Sequence, residues 1–246
     1  MAGKETMRVV GIDTSAETGS VALVEGESLV AEVTLAMERT HSERLLPALD
    51  AAMQLVGWSG ETVELVAVAI GPGPFTALRI GVTAAKSLAY GWGAPAVGIP
   101  TFDAIAHRYR YAHRNLAILF DARKAQVFAA YYRHRPWDGG DDLGTLERVG
   151  DFRCDTVDAL LDGIETPTLF LGNGAAAYRA TIRTRLGDLA DFAEAEAAVP
   201  HAASVAFLGR RRFARNPSTP ADVHVLAPLY IRRPEAEVKR ERAAST

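Results

Sequence analysis

The chain has 246 residues, nearly half of them apolar, enough to bury one large core or two smaller ones. A formal net charge of −3 provides no overall positive field to draw it onto nucleic acid, and a single cysteine, Cys154, excludes an intrachain disulfide and a cysteine-rich metal cage. No run approaches the ~18–20 apolar residues that span a bilayer, and the first six residues lack the apolar centre of a signal peptide, so a soluble cytoplasmic protein is expected.

In chain order, Met7 to Asp13 reads as a strand that ends in Asp13-Thr14-Ser15 and turns into a second strand, Ser20 to Val24. A third strand is expected near Leu29–Leu35. Thr40 and Glu43 make a capping box for a helix on which Leu45, Leu49, Met53 and Val56 recur at helical spacing, with Pro47 expected to kink it. Leu65–Ile70 is an apolar strand leading into Gly71-Pro72-Gly73-Pro74. A helix is expected from Ala77 to Tyr90, stopped by Gly91-Trp92-Gly93-Ala94-Pro95. Ala96–Ile99 is a strand, and Thr101 is expected to cap a helix reaching about Tyr109. A weaker copy of this βββαβαβα order follows. It has a hairpin of Leu116–Phe120 and Val127–Tyr132, a loop over Pro136–Gly144, more sheet at Leu146–Val149, and a helix over Val157–Gly163. A strand Thr168–Leu171, a helix carrying Tyr178 and Ile182, and a last helix Ser204–Arg215 complete it. The expected division is 7–106 and 107–233, with 1–6 and 239–246 as frayed tails.

The chemistry-bearing segments leave alternatives open. Gly71-Pro72-Gly73-Pro74 before a helix suits a loop that presents backbone amides to phosphate, and equally a connection that lets strand and helix pack closely. Asp13 suits a carboxylate acting through metal-bound water or a turn-capping Asx group, and the second reading is favoured. Gly172-Asn173-Gly174 suits a purine cup or a plain strand-to-helix turn. His41 and Ser42 invite a hydrolase reading, but neighbours on a helix point about 100° apart, and no orienting group or oxyanion donors accompany them. Arg210-Arg211-Arg212 with Arg215 is the candidate basic patch, extendable by Arg232 and Arg233. Without interleaved aromatics it reads as a solvated helix end. The helices around Leu45, Leu46, Leu49, Met53 and around Leu78, Val82, Ala85 are apolar on more than one side, which calls for a second partner beyond their own sheet.

Taken together, Asp13-Thr14-Ser15, Thr40-His41-Ser42-Glu43-Arg44-Leu45-Leu46-Pro47, Gly71 to Gly81, Pro95-Ala96-Val97-Gly98-Ile99 and Pro228-Leu229-Tyr230-Ile231-Arg232 resemble the TsaB (YeaZ) family over nearly the whole chain. Pro74 stands where that family usually has Ser, and Ala77 where it usually has Gly. The resemblance implies an α/β fold of two ribonuclease-H-like domains, as in the actin, Hsp70 and sugar-kinase superfamily, the second domain degenerate. It also implies a non-catalytic subunit of the machinery that forms N6-threonylcarbamoyladenosine at position 37 of tRNA. The implied partner is TsaD, bound through a helical bundle in which Leu45, Leu46, Leu49, Met53, Leu78, Val82 and Ala85 take part. TsaE with ATP or ADP is expected in the assembled complex, a homodimer through the same helices is an alternative pairing, and contact with tRNA is expected to be indirect. No cofactor is expected, and Asp13, Thr14, Gly71, Gly73, Gly172 and Gly174 are expected to be remnants of nucleotide loops. The metal-binding His-x-x-x-His of TsaD falls on Thr101 and Ile105, which cannot replace it. The rival readings are an independent actin-type ATPase using Asp13, Thr14 and the Gly71–Gly73 loop, and a metallopeptidase.

Overall fold

The computed structural model describes residues 6–36, 41–136, 145–194, 199, 201–215, 223 and 225–232, with the side chains of residues 41 and 42 left aside. Thr40 of the expected capping box, most of the expected Pro136–Gly144 loop, His224, Arg233 and the tail segments 1–5 and 239–246 lie outside the described residues. So do the side chains of His41 and Ser42.

The first half runs β1 (Arg8–Asp13), β2 (Thr18–Glu25), β3 (Ser28–Ala36), α1 (His41–Val56), β4 (Leu65–Gly71), α2 (Phe75–Trp92), β5 (Ala96–Pro100) and α3 (Thr101–Arg108). Its sheet has the order β3-β2-β1-β4-β5. β1 and β2 are antiparallel, while β1, β4 and β5 run parallel. The helix expected from Ala77 starts two residues earlier, and Gly93 ends it in the left-handed conformation (φ 68°) that only glycine adopts without strain. Pro47 lies inside α1, which continues past it to Val56.

The second half runs β6 (Asn115–Arg123), β7 (Gln126–His134), β8 (Leu146–Asp155), α4 (Val157–Leu161), β9 (Thr168–Leu171), α5 (Asn173–Ala177), α6 (Arg179–Leu186), β10 (Ala190–Phe192) and α7 (Ala202–Arg215). The sheet order β10-β9-β6-β7-β8 repeats that of the first half strand for strand. The copy is reduced: α4 and α5 have five residues each and β10 only three. This is the two-domain actin-like α/β fold, its second domain degenerate.

Alternation along the strands sorts side chains onto two faces of each sheet. Val10, Ile12, Val66 and Val68 face α1 and α2, and Ala117, Leu119, Val127 and Phe170 face α4 and α6. The opposite faces share one core: Val9, Leu65 and Ala67 of the first sheet join Leu116, Ile118 and Tyr132 of the second through Phe102 and Ile105 of α3 and Val205 and Leu208 of α7. Although it follows the second sheet in sequence, α7 packs on β1, β2 and β4. It lies so close that a Cβ on Gly11 would sit 2.3 Å from the Ala202 carbonyl oxygen, and one on Gly209 2.5 Å from Ala67 Cβ.

Candidate functional site

The β1–β2 turn and the β4–α2 turn meet, bringing Asp13, Thr14, Gly71 and Gly73 together. Asp13 Oδ1 accepts from Ser15 N (2.8 Å) and Ser15 Oγ (2.6 Å), which makes it an Asx turn. Its Oδ2 is buried with no hydrogen-bond partner. Burial pushes this carboxyl up to about 6, against the opposing pull of the Ser15 bonds and of His201. Thr14 Oγ1 donates to the Ala77 carbonyl (2.7 Å) in the first turn of α2.

The glycines here make room for the chain itself. A Cβ on Gly73 would lie 2.4 Å from Ser15 O, and one on Gly81 2.3 Å from Thr14 Oγ1. The 13–15 turn therefore packs directly on the β4–α2 turn and on α2. A strap of residues 226–232 then crosses the start of α2. Leu229 N donates to Ile70 O (2.7 Å), Tyr230 stacks on Phe75 at 5.0 Å between ring centres, and Arg79 Nε donates to Tyr230 Oη (2.9 Å). The strap ends on the second half, where Arg232 Nη1 donates to Gln126 Oε1 (3.3 Å).

In the second half, Gly172 and Gly174 lie apart from these residues and serve close packing as well. A Cβ on Gly172 would be 2.2 Å from Leu119 O, and one on Gly174 2.9 Å from the same residue. Asn173 Oδ1 accepts from Asp121 N (3.0 Å), and Asp121 Oδ1 accepts from Arg123 N (2.8 Å). The β6–β7 turn carries Arg123, Lys124 and Ala125 at φ 63°, 55° and 56°, a backbone that suits glycine, with side chains where a phosphate loop needs bare amides.

Thr101 is not the cap of α3, as its sequence suggested. Extended Pro100 holds that position, and Thr101 Oγ1 is buried without a partner inside the first turn. Thr101 and Ile105 lie buried on α3, and among the described residues no three His, Cys, Asp or Glu converge on a metal-sized space. Two turns along, burial together with Arg110 and Arg211 holds His107 down at about 3.

The seven side chains expected to meet a partner divide. Leu45, Leu49, Met53, Leu78, Val82 and Ala85 are buried in the chain's own core, at 7% exposure or less, while Leu46 is 44% exposed. An amphipathic helix turns its most apolar stripe to its own sheet first, so strength of hydrophobic periodicity marks the inward face. On α1 the exposed Leu46 and Leu55, nine residues apart, lie on opposite flanks of the buried stripe, and on α2 half-buried Ile80, Ala84 and Leu88 pack against the chain's own core.

The basic run is also largely committed. Arg210 pairs with Glu27, and Arg212 Nη2 reaches Asp103 Oδ2 at 2.7 Å. Nothing along the chain pointed to Asp103. It is buried on α3 where the halves meet, and its Oδ1 also accepts from Tyr132 Oη (2.9 Å) on β7, with Arg148 of β8 at 3.4 Å.

Against known proteins, the model of the family described as "TsaD: tRNA N6-adenosine threonylcarbamoyltransferase" matches residues 28–240. The tRNA threonylcarbamoyladenosine biosynthesis protein TsaB of Bacillus subtilis is 31% identical over 237 residues, covering 95% of this chain and 97% of that protein. This chain belongs to the TsaB family. The Escherichia coli TsaB is 36% identical over 147 residues, 57% of this chain and 63% of that protein. Among solved structures, YeaZ from Pseudomonas aeruginosa superposes with a TM-score of 0.73 at 23% identity, over 91% of this chain and 99% of that one, which bears on the fold alone. No helix among the described residues is long and apolar enough to cross a membrane.

Proposed function

We propose that this TsaB-family chain acts without catalysing a reaction itself, as the subunit that holds and activates TsaD for threonylcarbamoyl transfer to tRNA adenosine in the cytoplasm. The observation carrying this reading is that the loops resembling phosphate loops are committed to the chain's own packing: Ser15 against Gly73, Thr14 bonded to Ala77, and Tyr230 across the start of α2. The absence of imidazoles at Thr101 and Ile105 agrees with it, since the matching family model is that of the transferase.

In this reading, 7–106 is the partner-binding half and 107–233 braces it. TsaD docks on the solvent side of α1 and α2, where exposed Leu46 and Leu55 flank α1 on its two sides. TsaE, with ATP or ADP, joins the assembled pair, and the same face pairs two copies of this chain when TsaD is absent. The test is capture of TsaD from the same organism by Leu46→Glu and Leu55→Glu variants, alongside their thermal unfolding. Loss of capture with unfolding unchanged is expected, because Leu55 is 86% exposed and a glutamate there is unpaired only once a partner covers it. Undiminished capture would exclude this face. ATP hydrolysis by the isolated chain that disappears in Asp13→Ala would overturn the non-catalytic reading.

A further inference from the structure

The cations that look most like a nucleic-acid patch in the sequence, Arg210 and Arg212, are tied to carboxylates within the chain. A different pair is not. Arg179 and Arg183 stand one turn apart on the exposed side of α6, both over the ring of Phe192, at 4.6 and 5.4 Å from its centre. Phe192 is in turn packed on Phe170 in the core, so the platform under the two guanidinium groups is rigid. Arg183 also donates to the Gly187 carbonyl (3.4 Å), and among the described residues neither arginine has a carboxylate partner. Their neighbour Arg185, by contrast, is paired with Asp158 and Asp162. Two like charges at this spacing repel, and among the described residues no carboxylate offsets them. A guanidinium stacked on an aromatic face keeps its planar fork of donors turned outward, the geometry that receives a phosphate.

On the other side of the short edge strand β10 lies an open polar cleft of about 410 Å³. It is lined by His113, Arg114, Asn115, His134, Thr166 and Asp191. His113 Nδ1 and His134 Nε2 face each other at 3.0 Å, and Asp191 is neutralised by Arg114. That volume lies in the range that holds a nucleotide-sized group. With a net charge of −3, the chain as a whole does not attract a polyanion, so any contact must come from a local field such as that of Arg179 and Arg183.

We propose that the β10 edge, with Arg179 and Arg183 on one side and the His113–Arg114–His134 cleft on the other, is the surface by which this chain contacts the phosphate backbone of the RNA being modified. The inference rests on the assignment of the chain to tRNA modification, but not on how it holds TsaD. The measurement is fluorescence anisotropy of a labelled, unmodified tRNA with the full chain across about 50–200 mM salt. The Arg179→Gln/Arg183→Gln variant is expected to bind about tenfold more weakly or worse, with the slope of log affinity against log salt shallower by about 1.5–2, two phosphate contacts' worth. Arg179→Lys/Arg183→Lys should keep the slope while losing affinity, because charge is retained and the fork is not. Unchanged affinity and slope in the glutamine variant, or no saturable binding by the wild-type chain, would overturn the proposal. Equal displacement of the tRNA by heparin and by duplex DNA of matched charge would overturn RNA as the occupant. TsaD capture and thermal unfolding of the same variants are expected to be unchanged, so failure here is distinguishable from failure of the partner-subunit reading.

Discussion

Asp103→Ala tests how the two halves are joined. The carboxylate is 4% exposed and takes hydrogen bonds from three side chains on three elements: Tyr132 on β7, Arg212 on α7 and, at longer range, Arg148 on β8. Removing it leaves the Tyr132 hydroxyl, in a residue only 1% exposed, without the acceptor it has now, a loss of about 1–3 kcal/mol. Arg212 and Arg148 are each about a third exposed, at 34% and 36%, so water rehydrates them and their share must be discounted. Breaking one side of a buried ionic cluster typically destabilises by about 3–5 kcal/mol, and the partial exposure places this case toward the lower end. At about 2–4 °C per kcal/mol for a chain of this size, the melting temperature should fall by about 6–15 °C. The assay is urea unfolding with a double-mutant cycle against Tyr132→Phe, for which a coupling of about 1 kcal/mol or more is expected. Hydrogen exchange should rise in β8 and α7 before β1 and β4. A loss below about 1 kcal/mol, or additive effects of the two substitutions, would refute the view that Asp103 ties the halves together.

Three further outcomes follow from the packing and the electrostatics. Asp13 has its folded pKa raised to about 6 from 3.8, so its contribution to stability is fully present below pH 3.8 and is lost as pH rises through 6. Asp13→Asn should therefore be more stable than the wild type at pH 8, by up to about 3 kcal/mol, with the gain fading by pH 4; a difference independent of pH in denaturant titrations would contradict this. Gly11→Ala should destabilise by about 3 kcal/mol or more, because the Ala202 backbone cannot retreat from a Cβ at 2.3 Å without moving α7. Gly91→Ala, in α2 with no atom within 4 Å of the new methyl, should instead stabilise by about 0.5–1 kcal/mol, and chemical unfolding of the two variants checks both signs.

Much of the architecture was legible along the chain because local patterns carry it. The switch from short continuous apolar runs, Val9–Ile12 and Leu65–Ala69, to helical spacing in α1 and α2 marks element type directly, and repetition of βββαβαβα marks the duplicated domain. The strand β10 escaped notice because three residues carry no periodicity. The start of α3 was misplaced because Pro100 can hold the N-cap by backbone geometry, with no side-chain bond to advertise it. The outward face of α1 was read from its strongest apolar stripe, and that stripe is what the chain's own sheet covers first.

The sequence by itself determined the order of the main elements, the TsaB resemblance and the glycine turns at Gly71–Gly73, Gly91–Gly93 and Gly172–Gly174, since each depends on residues near one another along the chain. The tertiary structure alone decided what those glycines are for. A glycine before a helix permits close approach of whatever lies opposite, and only folding identifies it: Ser15 O opposite Gly73, Thr14 Oγ1 opposite Gly81, Leu119 O opposite Gly172. The same holds for charge. Arg212 and Arg183 are alike as letters, but the first lies 109 residues from the carboxylate that neutralises it, and the second faces solvent on an aromatic ring. Pairing over that distance depends on how α7 folds back across the first sheet, information carried by packing between the halves and by no local run of sequence.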